Sequence, residues 1–383
     1  MLTITNARII TENEILPLGS ISCRNGRFCD DGSDIPGYDA KGCYLAPGFI
    51  DLHFHGVLGK LVDNGTSDLE EICRVLPKFG VTGFLPTVTP CEDDITHLAE
   101  LACAGSEGSE ILGFFLEGHY LQLTGAIRAY SKDYSMEKVR KLNNAAGKHK
   151  LVYGVSPEIP GLSELLPAMT KSGYPAFITH TAATAEQTMN AISLGAVHAT
   201  HFYDVFPYPG DKEPGVRGCG AVEAILANKA ATVDFILDGE HVEPIAVHMA
   251  LACKGAEGVC LITDANINAG LPPGTYKGMG GDEVEVTTKG GPARMSKKSR
   301  IPGGLTGSGL TMDLAVKNAV HMLGLPIHQA VRMATLNPAS VLGLQKRKGR
   351  VAKGYDADFV LLNNELEVNA CFIGGKMVYE KQG

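Results

Sequence analysis

The sequence predicts an α/β fold: a (β/α)8 TIM-like barrel with a small β-sandwich domain formed by both chain ends. Two observations lead to this prediction. Eight apolar, strand-like runs alternate with helix-like stretches through the middle of the 383-residue chain, which is typical of a parallel barrel. The two ends instead contain short β-like pieces separated by turn residues, as in small antiparallel sheets.

The chain ends are predicted to form one domain from two distant segments. The N-terminal pieces are LTITNARII and GSISCRNGRF, with a hairpin signal at Asn25-Gly26. The C-terminal pieces are DADFVLLN and ELEVNACFIGGKMVYE. We therefore expect residues 1–46 and 350–383 to form the small β domain and residues 47–349 to form the barrel.

The barrel strands are predicted from apolar runs of strand length. They are LAPGFIDLHFH (45–55), GFLPTV (83–88), ILGFFLEG (111–118), LVYGVSPE (151–158), PAFITH (175–180), AVHATH (196–201), ATVDFIL (231–237) and GVCLITDA (258–265). A Gly-rich segment, 270–308, follows the last run and contains DEVEVTT, the pattern of a small hairpin. This segment is either a flexible excursion or a lid over the barrel mouth.

Composition narrows the classes of function. Hydrophobic residues make up 44% of the chain and charged residues 20%, as in soluble globular proteins. A net charge of −8 argues against a nucleic-acid partner, which requires a basic surface. No apolar run of membrane-spanning length and no signal peptide is evident, so no membrane association is expected. The ten cysteines include no CxxC pair and are typical of reduced thiols. A cytoplasmic location is the default expectation, mainly because no signal peptide or membrane span is evident.

Side chains that bind metals stand at the ends of five of the eight runs. In such barrels the C-terminal ends of the strands meet at one mouth, where catalysis takes place. The residues are His53 and His55, Glu117, His180, His201 and Asp264. The two histidines of the first run are one residue apart and share a strand face. Histidine is only 12 of 383 residues, so chance does not readily explain this pattern.

The residue types predict metal-assisted hydrolysis. His and Glu together suit a divalent ion, Zn²⁺ first, although Fe²⁺, Mn²⁺ or Co²⁺ can use the same set. Such an ion lowers the pKa of a bound water and polarises a carbonyl oxygen. Asp264 is the candidate that takes the proton of that water and passes it to the leaving group.

Each candidate also has a purely structural interpretation. Glu117 could pair with a buried base or cap a helix, His180 and His201 could be hydrogen-bonded core histidines, and Asp264 could cap the segment that follows it. His198, three residues before His201, should face the opposite side of its strand and serve packing.

His119 lies two residues after Glu117. It could therefore share the face of Glu117 and contact the site.

The motifs resemble a known family. PGFIDLHFHG, FLEG, SPE, ITHTAAT, THFYDVFPYPGDKEPG, DGEHV, LITDANINAG and LTGSGLTM occur in the order and spacing of the N-acetylglucosamine-6-phosphate deacetylases of the amidohydrolase superfamily. The likeness extends from about residue 1 to residue 380 and includes the terminal β domain. It implies removal of the N-acetyl group from an amino sugar phosphate, with N-acetylglucosamine 6-phosphate giving glucosamine 6-phosphate and acetate.

The resemblance also implies roles for residues. Glu117, His180 and His201 would bind the main ion, and the His53/His55 pair would permit a second, giving one or two ions per subunit. Asp264 would act as base and then as acid. His241, in DGEHV, would contact the sugar phosphate. The family implies a homodimer in which a basic residue of the neighbouring subunit reaches the phosphate.

The substrate side departs from the family pattern. His119 follows the LEG motif, and Ile127, with Arg128 next to it, stands where a substrate-binding histidine is expected. Asp204 replaces an asparagine and would repel phosphate. Lys212 replaces an arginine and lacks its bidentate fork. We nevertheless expect the substrate to contact the DGEHV histidine together with His119, Arg128, Asp204 and Lys212. The sugar epimer, the acyl group and the phosphate stay open.

Two alternatives remain. Cyclic-amide hydrolases on this scaffold bridge two metals with a carboxylated lysine at the end of strand four, but that run ends in SPE. A non-catalytic protein that binds metal or sugar would be expected to have lost ligands or the acid/base residue, and neither is lost here.

Overall fold

The computed structural model describes residues 1–30, 37–127 and 133–382. Eight parallel strands form its centre, and each coincides with one of the predicted apolar runs. They are β1 (Phe49–Phe54), β2 (Val81–Val88), β3 (Phe114–Tyr120), β4 (Leu151–Val155), β5 (Phe177–Ile178), β6 (His198–Ala199), β7 (Thr232–Ile236) and β8 (Val259–Ile262). Each of these strands pairs in parallel with the next one along the chain, from β1 through β8. The predicted barrel order is confirmed.

The barrel closes between β1 and β8 through a side chain as well as the backbone. The Asp264 N–H donates to the His53 carbonyl at 3.0 Å. Further into the barrel, the Asp51 carboxylate accepts from the backbone N–H of Thr263 at 3.2 Å and from its hydroxyl at 2.6 Å. These bonds satisfy polar groups that would otherwise be buried without a partner. They also fix where the ends of β1 and β8 lie relative to each other.

Helices cover the outside of the barrel. Within the described residues they are α1 (Thr66–Val75), α2 (Asp94–Leu101), α3 (Met136–Ala145), α4 (Leu162–Met169), α5 (Ala185–Ser193), α6 (Ala221–Ala227), α7 (Pro244–Lys254), α8 (Met312–Leu323), α9 (Ile327–Met333) and α10 (Leu336–Val341). Local sequence sets several starts: Ser135 caps α3, and Thr184 with Gln187 forms a capping box on α5. None of the helices in the described ranges has the length and apolarity needed to span a membrane.

The two chain ends share one mostly antiparallel sheet. Its strands are Leu2–Ile10, Ile15–Arg24, Arg27–Cys29, Tyr38–Asp39, Tyr44–Pro47, Phe359–Leu362, Val368–Ile373 and Lys376–Glu380. The N- and C-terminal halves join where Tyr44–Pro47 pairs with Phe359–Leu362. Phe28 lies four strands from Phe359 in this sheet, about 19 Å if the sheet were flat. Their rings are 5.8 Å apart, so the sheet folds over on itself as a sandwich.

Alternation along the strands gives this sheet two buried faces. Phe359 and Leu361 belong to the core inside the sandwich, whereas Val360 and Leu362 belong to the large core of the barrel. Lys348 also links the terminal sheet to the barrel by ion pairs. Its amine lies 2.5 Å from Asp358, next to the strand Phe359–Leu362, and 2.8 Å from Glu110, before β3. The domain limits at 46/47 and 349/350 stay a prediction.

The Gly-rich segment forms a small sheet of its own. Four strands pair antiparallel in order, Gly274–Lys277, Glu283–Val286, Pro292–Met295 and Leu305–Ser308. The last strand returns to the barrel, where the Ser308 N–H donates to the Asp264 carbonyl at 2.8 Å. We call residues 270–308 the excursion sheet.

Candidate metal centre and active site

A cavity lined by several of the candidate residues lies at the C-terminal ends of the barrel strands. It measures about 460 Å³, and the ends of six strands contribute His55, Glu117, His180, His201, Ile236 and Asp264 to its wall. The excursion sheet supplies much of the opposite wall, including Met279, Met295, Arg300 and Ile301. The position of that sheet supports the lid interpretation of the Gly-rich segment.

Glu117 lies between two pairs of histidines. Its Oε2 is 3.3 Å from His53 Nε2 and 3.2 Å from His55 Nε2. Its Oε1 is 3.4 Å from His180 Nε2 and 3.0 Å from His201 Nε2. The ligand atoms of each pair and the carboxylate lie within 4.8 Å of one another. The structure therefore brings the five predicted metal ligands together, with one carboxylate oxygen facing each pair.

Backbone conformation turns these side chains into the mouth. His180, His201 and Asp264 have φ angles of 48°, 34° and 45°. Non-glycine residues seldom adopt positive φ, and such strain concentrates at functional sites. At these strand ends the left-handed conformation ends the regular pleat and directs three candidate residues toward one point.

The charges at the centre favour a cation. Burial works to raise the pKa of Glu117, but His53, His180 and His201 outweigh burial and hold this pKa well below its usual value. Burial opposes the charged form of His55, yet Asp264 and Glu117 raise its pKa to about 10. Two ionised carboxylates at the bottom of a buried cavity thus create a negative potential that a divalent ion would neutralise.

The donor set fits such an ion. Four imidazole Nε2 atoms and two carboxylates converge, all from side chains that are at most 12% exposed. Imidazole with carboxylate suits Zn²⁺, Fe²⁺, Mn²⁺ and Co²⁺. With Glu117 between the pairs, the arrangement has room for one ion on either side of its carboxylate.

Asp264 lies directly beside the histidines of β1. Its Oδ1 is 3.4 Å from His53 Nε2 and 3.3 Å from His55 Nε2. Burial tends to raise the pKa of Asp264, but these two imidazoles lower it below the usual value. The carboxylate is therefore ionised at neutral pH and can accept a proton.

A second layer of polar side chains holds the first. His53 Nδ1 lies 3.1 Å from the Thr200 hydroxyl. Asp234 accepts the backbone N–H of His201 at 2.5 Å and lies 2.8 Å from His198 Nε2. His198 thus points away from the cavity, as predicted, and belongs to a buried pair that positions the backbone of His201.

Two of the predicted substrate residues lie on the cavity wall. One is His241, whose Nδ1 lies 2.7 Å from the carboxylate of Asp238. Burial tends to lower the pKa of His241, but the hydrogen bond to Asp238 outweighs burial and raises it. Asp204 is on the same wall, and burial raises its pKa to about 6.

Two other predicted substrate residues, His119 and Lys212, are not brought to this wall. His119 is 3.6 Å from Asp94 and faces away from the cavity. The face-sharing prediction was wrong, because Gly118 has a φ of 105° and interrupts the alternation of β3. Lys212 is exposed on the hairpin Asp211–Glu213/Val216–Arg217 and does not line the cavity of its own chain. Arg128 lies outside the described residues.

Arg300 is a wall residue that the sequence did not indicate as functional. It comes from the turn before the last excursion strand, which also brings Thr306 and Gly307 to the wall. The basic run KKSR, residues 297–300, was a possible signal. Nothing in the sequence shows which of these side chains turns inward.

A separate acidic group is not comparable to this centre. Glu110, Asp356 and Asp358 also lie close together. Lys348 Nζ is within 3.4 Å of all three, so the group is neutralised as an ion-pair network.

The fold and the site define an amidohydrolase. A model of the Amidohydrolase family matches residues 44–378, which is most of the chain. The protein is therefore a hydrolase of the metal-dependent class that acts on amide bonds.

Comparison with individual proteins narrows the family. The chain is 33% identical to the N-acetylglucosamine-6-phosphate deacetylase of Lysinibacillus sphaericus, over 88% of this chain and 86% of that one. It is 31% identical to the N-acetylgalactosamine-6-phosphate deacetylase of Escherichia coli O157:H7, over 87% of each. The crystal structure of N-acetylglucosamine-6-phosphate deacetylase from Pasteurella multocida superposes with a TM-score of 0.87 at 25% identity, covering 98% of this chain and 99% of that one. The chain belongs to the N-acetylglucosamine-6-phosphate deacetylase family.

Proposed function

We propose that the protein removes the N-acetyl group of an amino sugar phosphate, with N-acetylglucosamine 6-phosphate as the first candidate substrate. The observation that carries the proposal is Glu117 between two histidine pairs with Asp264 against one of them, in a chain of this family. The products are acetate and glucosamine 6-phosphate. N-acetylgalactosamine 6-phosphate is the second candidate, because a relative of similar identity acts on that epimer.

The metal centre would comprise Glu117, His180 and His201 for one ion and His53 with His55 for a second. We propose Zn²⁺ as the natural ion. A bound divalent ion would lower the pKa of a water and polarise the amide carbonyl. The buried imidazoles and the carboxylate between them would fix the ion beside Asp264.

Asp264 moves the proton. Its ionised carboxylate takes a proton from the attacking water, whose oxygen forms a bond to the amide carbon. The same carboxyl group then gives that proton to the amide nitrogen as the carbon–nitrogen bond breaks, and the sugar leaves as an amine. The αL backbone at Asp264 and the Ser308 hydrogen bond hold the carboxylate in place for both transfers.

Substrate contacts would come from the upper wall. His241, held by Asp238, keeps Nε2 for the sugar phosphate, and Asp204 would contact a sugar hydroxyl. Lys212 lies outside its own cavity, which suits a contact across the interface of a homodimer. All ten cysteines are unpaired, in keeping with a reducing compartment such as the cytoplasm.

The test is acetate release by the Zn²⁺-loaded protein. N-acetylglucosamine and N-acetylgalactosamine would each be supplied with and without a 6-phosphate. Turnover concentrated on one 6-phosphate supports the proposal and assigns the epimer. Metal-loaded protein that releases no acetate from any of the four would refute it.

A further inference from the structure

Among the described residues of the cavity wall, few side chains carry the positive charge that a phosphorylated substrate needs. Its acids are Glu117, Asp204 and Asp264. Its imidazoles from β1, β5 and β6 face Glu117, where a metal ion would use them. His241, the remaining imidazole of this wall, is held by Asp238 and is already proposed as a contact of the phosphate. Among the wall residues that the structure describes, Arg300 is the one side chain with a permanent positive charge.

The excursion sheet positions Arg300 firmly. Two backbone hydrogen bonds close the turn that carries it. Met295 N–H donates to the Gly304 carbonyl, and Gly303 N–H donates to the Met295 carbonyl, each at 2.8 Å. Within the turn, Ser299 N–H donates to the Ser296 carbonyl at 3.0 Å. The strand that follows bonds to Asp264. The position of the guanidinium is therefore tied to that of the catalytic carboxylate through a few residues of sheet.

The guanidinium keeps donors for a ligand. Arg300 Nη2 donates to the Ala126 carbonyl at 2.7 Å, and Nε is 3.5 Å from Asp282 Oδ2. The described residues make these two contacts with the guanidinium, which carries five N–H donors in a planar fork. Its side chain is 41% exposed, so an anion in the cavity can approach it.

The contact with Ala126 places the group on the correct wall. Ala126 precedes Ile127, and both line the cavity. Ile127 in turn packs over Gly118, since a Cβ built on that glycine would lie 3.0 Å from Ile127 Cγ2. Gly118 directly follows Glu117. Arg300 is thus linked through Ala126 and Ile127 to the backbone next to Glu117.

We propose that Arg300 binds the substrate phosphate from within the same chain and selects phosphorylated over unphosphorylated amino sugars. The inference rests on the proposed deacetylase function and adds a residue to it. It also accounts for two departures on the substrate side. Asp204 adds a negative charge to the wall, and Lys212 does not line the cavity of its own chain, so a cation supplied by the excursion sheet offsets the charge of Asp204 from within the same chain.

The test compares Arg300→Met with Arg300→Lys on N-acetylglucosamine with and without the 6-phosphate. Loss of a charge-assisted hydrogen bond predicts a kcat/KM for the phosphorylated sugar that falls about tenfold to a hundredfold in Arg300→Met, mainly through KM. The unphosphorylated sugar should react at the wild-type rate. Arg300→Lys should recover part of the loss, because a point charge remains.

Lys298→Met is the matched control. It removes the same charge from an exposed residue of the same turn and should leave both substrates unaffected. Equal losses on both sugars in Arg300→Met would reduce Arg300 to a structural tie and overturn the inference. Unchanged kinetics in Arg300→Met together with a raised KM in Lys212→Met would overturn it in favour of the hairpin lysine.

Calorimetric binding of glucosamine 6-phosphate to the metal-loaded protein separates this inference from the proposed function. A wild-type protein that hydrolyses the phosphorylated sugar while Arg300→Met binds the product equally well overturns only the role of Arg300. A wild-type protein that binds product with an Arg300-dependent Kd but releases no acetate supports the phosphate site and refutes the proposed reaction. A wild-type protein that neither hydrolyses nor binds the phosphorylated sugar overturns both.

Discussion

Asp264→Asn removes the proposed base and leaves the shape of the site. Asn tolerates the positive φ of 45° at this position as well as Asp does. The backbone bonds from Asp264 N–H to the His53 carbonyl and from Ser308 N–H to the Asp264 carbonyl do not involve the side chain. The five proposed metal ligands all remain. We therefore expect the variant to fold and to retain its metal.

Turnover should fall steeply, because no other carboxylate on the described part of the cavity wall is free to move the proton. Glu117 is committed to four imidazoles, and Asp204 lies on the upper wall. Proton transfer by a positioned group is worth about 10²–10⁴ in rate, or about 3–5 kcal/mol of barrier. The measurement is kcat from acetate release, with bound metal determined by mass spectrometry on the same sample.

Asp204→Asn is the control, because it makes the same chemical change on the same wall. It should retain kcat within about tenfold, since the side chain transfers no proton in the proposed reaction. If Asp264→Asn, with full metal content, also kept kcat within tenfold of the wild type, the assignment of Asp264 as base and acid would be wrong.

Three further sets of substitutions test the metal centre, the cavity wall and the ion pairs of Lys348. His53→Ala with His55→Ala should lose about one metal ion per subunit and lower kcat about a hundredfold; unchanged metal content would refute a second ion. Burial raises the pKa of Asp204 to about 6, so its charge appears above that pH. The ratio of the wild-type KM to the Asp204→Asn KM for the phosphorylated sugar should then rise about tenfold from pH 5 to pH 8, because the charged carboxylate repels the phosphate. A ratio that stays constant would contradict this. Lys348→Met should cost about 3 kcal/mol in urea unfolding, because Asp358 loses its cation while Glu110 and Asp356 keep their pairing with Arg347. The exposed substitution Lys346→Met should cost little.

Much of the fold could be predicted from local pattern. An apolar run of strand length between helix-like stretches is a property of neighbouring residues, and all eight runs became barrel strands. The convergence of the proposed metal ligands was predictable for a related reason. The C-terminal ends of parallel strands meet at one edge, so residues at those ends converge wherever the chain goes between them. Alternation along β1 likewise placed His53 and His55 together.

What the sequence left undetermined depends on contacts between distant residues or on local departures from regular geometry. Alternation failed at His119 because the positive φ of Gly118 breaks the pleat. The position of Glu117 between two histidine pairs requires β1, β3, β5 and β6 to close into one barrel. The inward turn of Arg300 depends on how the excursion sheet folds back over the mouth. Residue types and spacing determined which groups could serve the chemistry, and only tertiary packing decided which of them face the cavity, because that direction is set by contacts far apart in the chain.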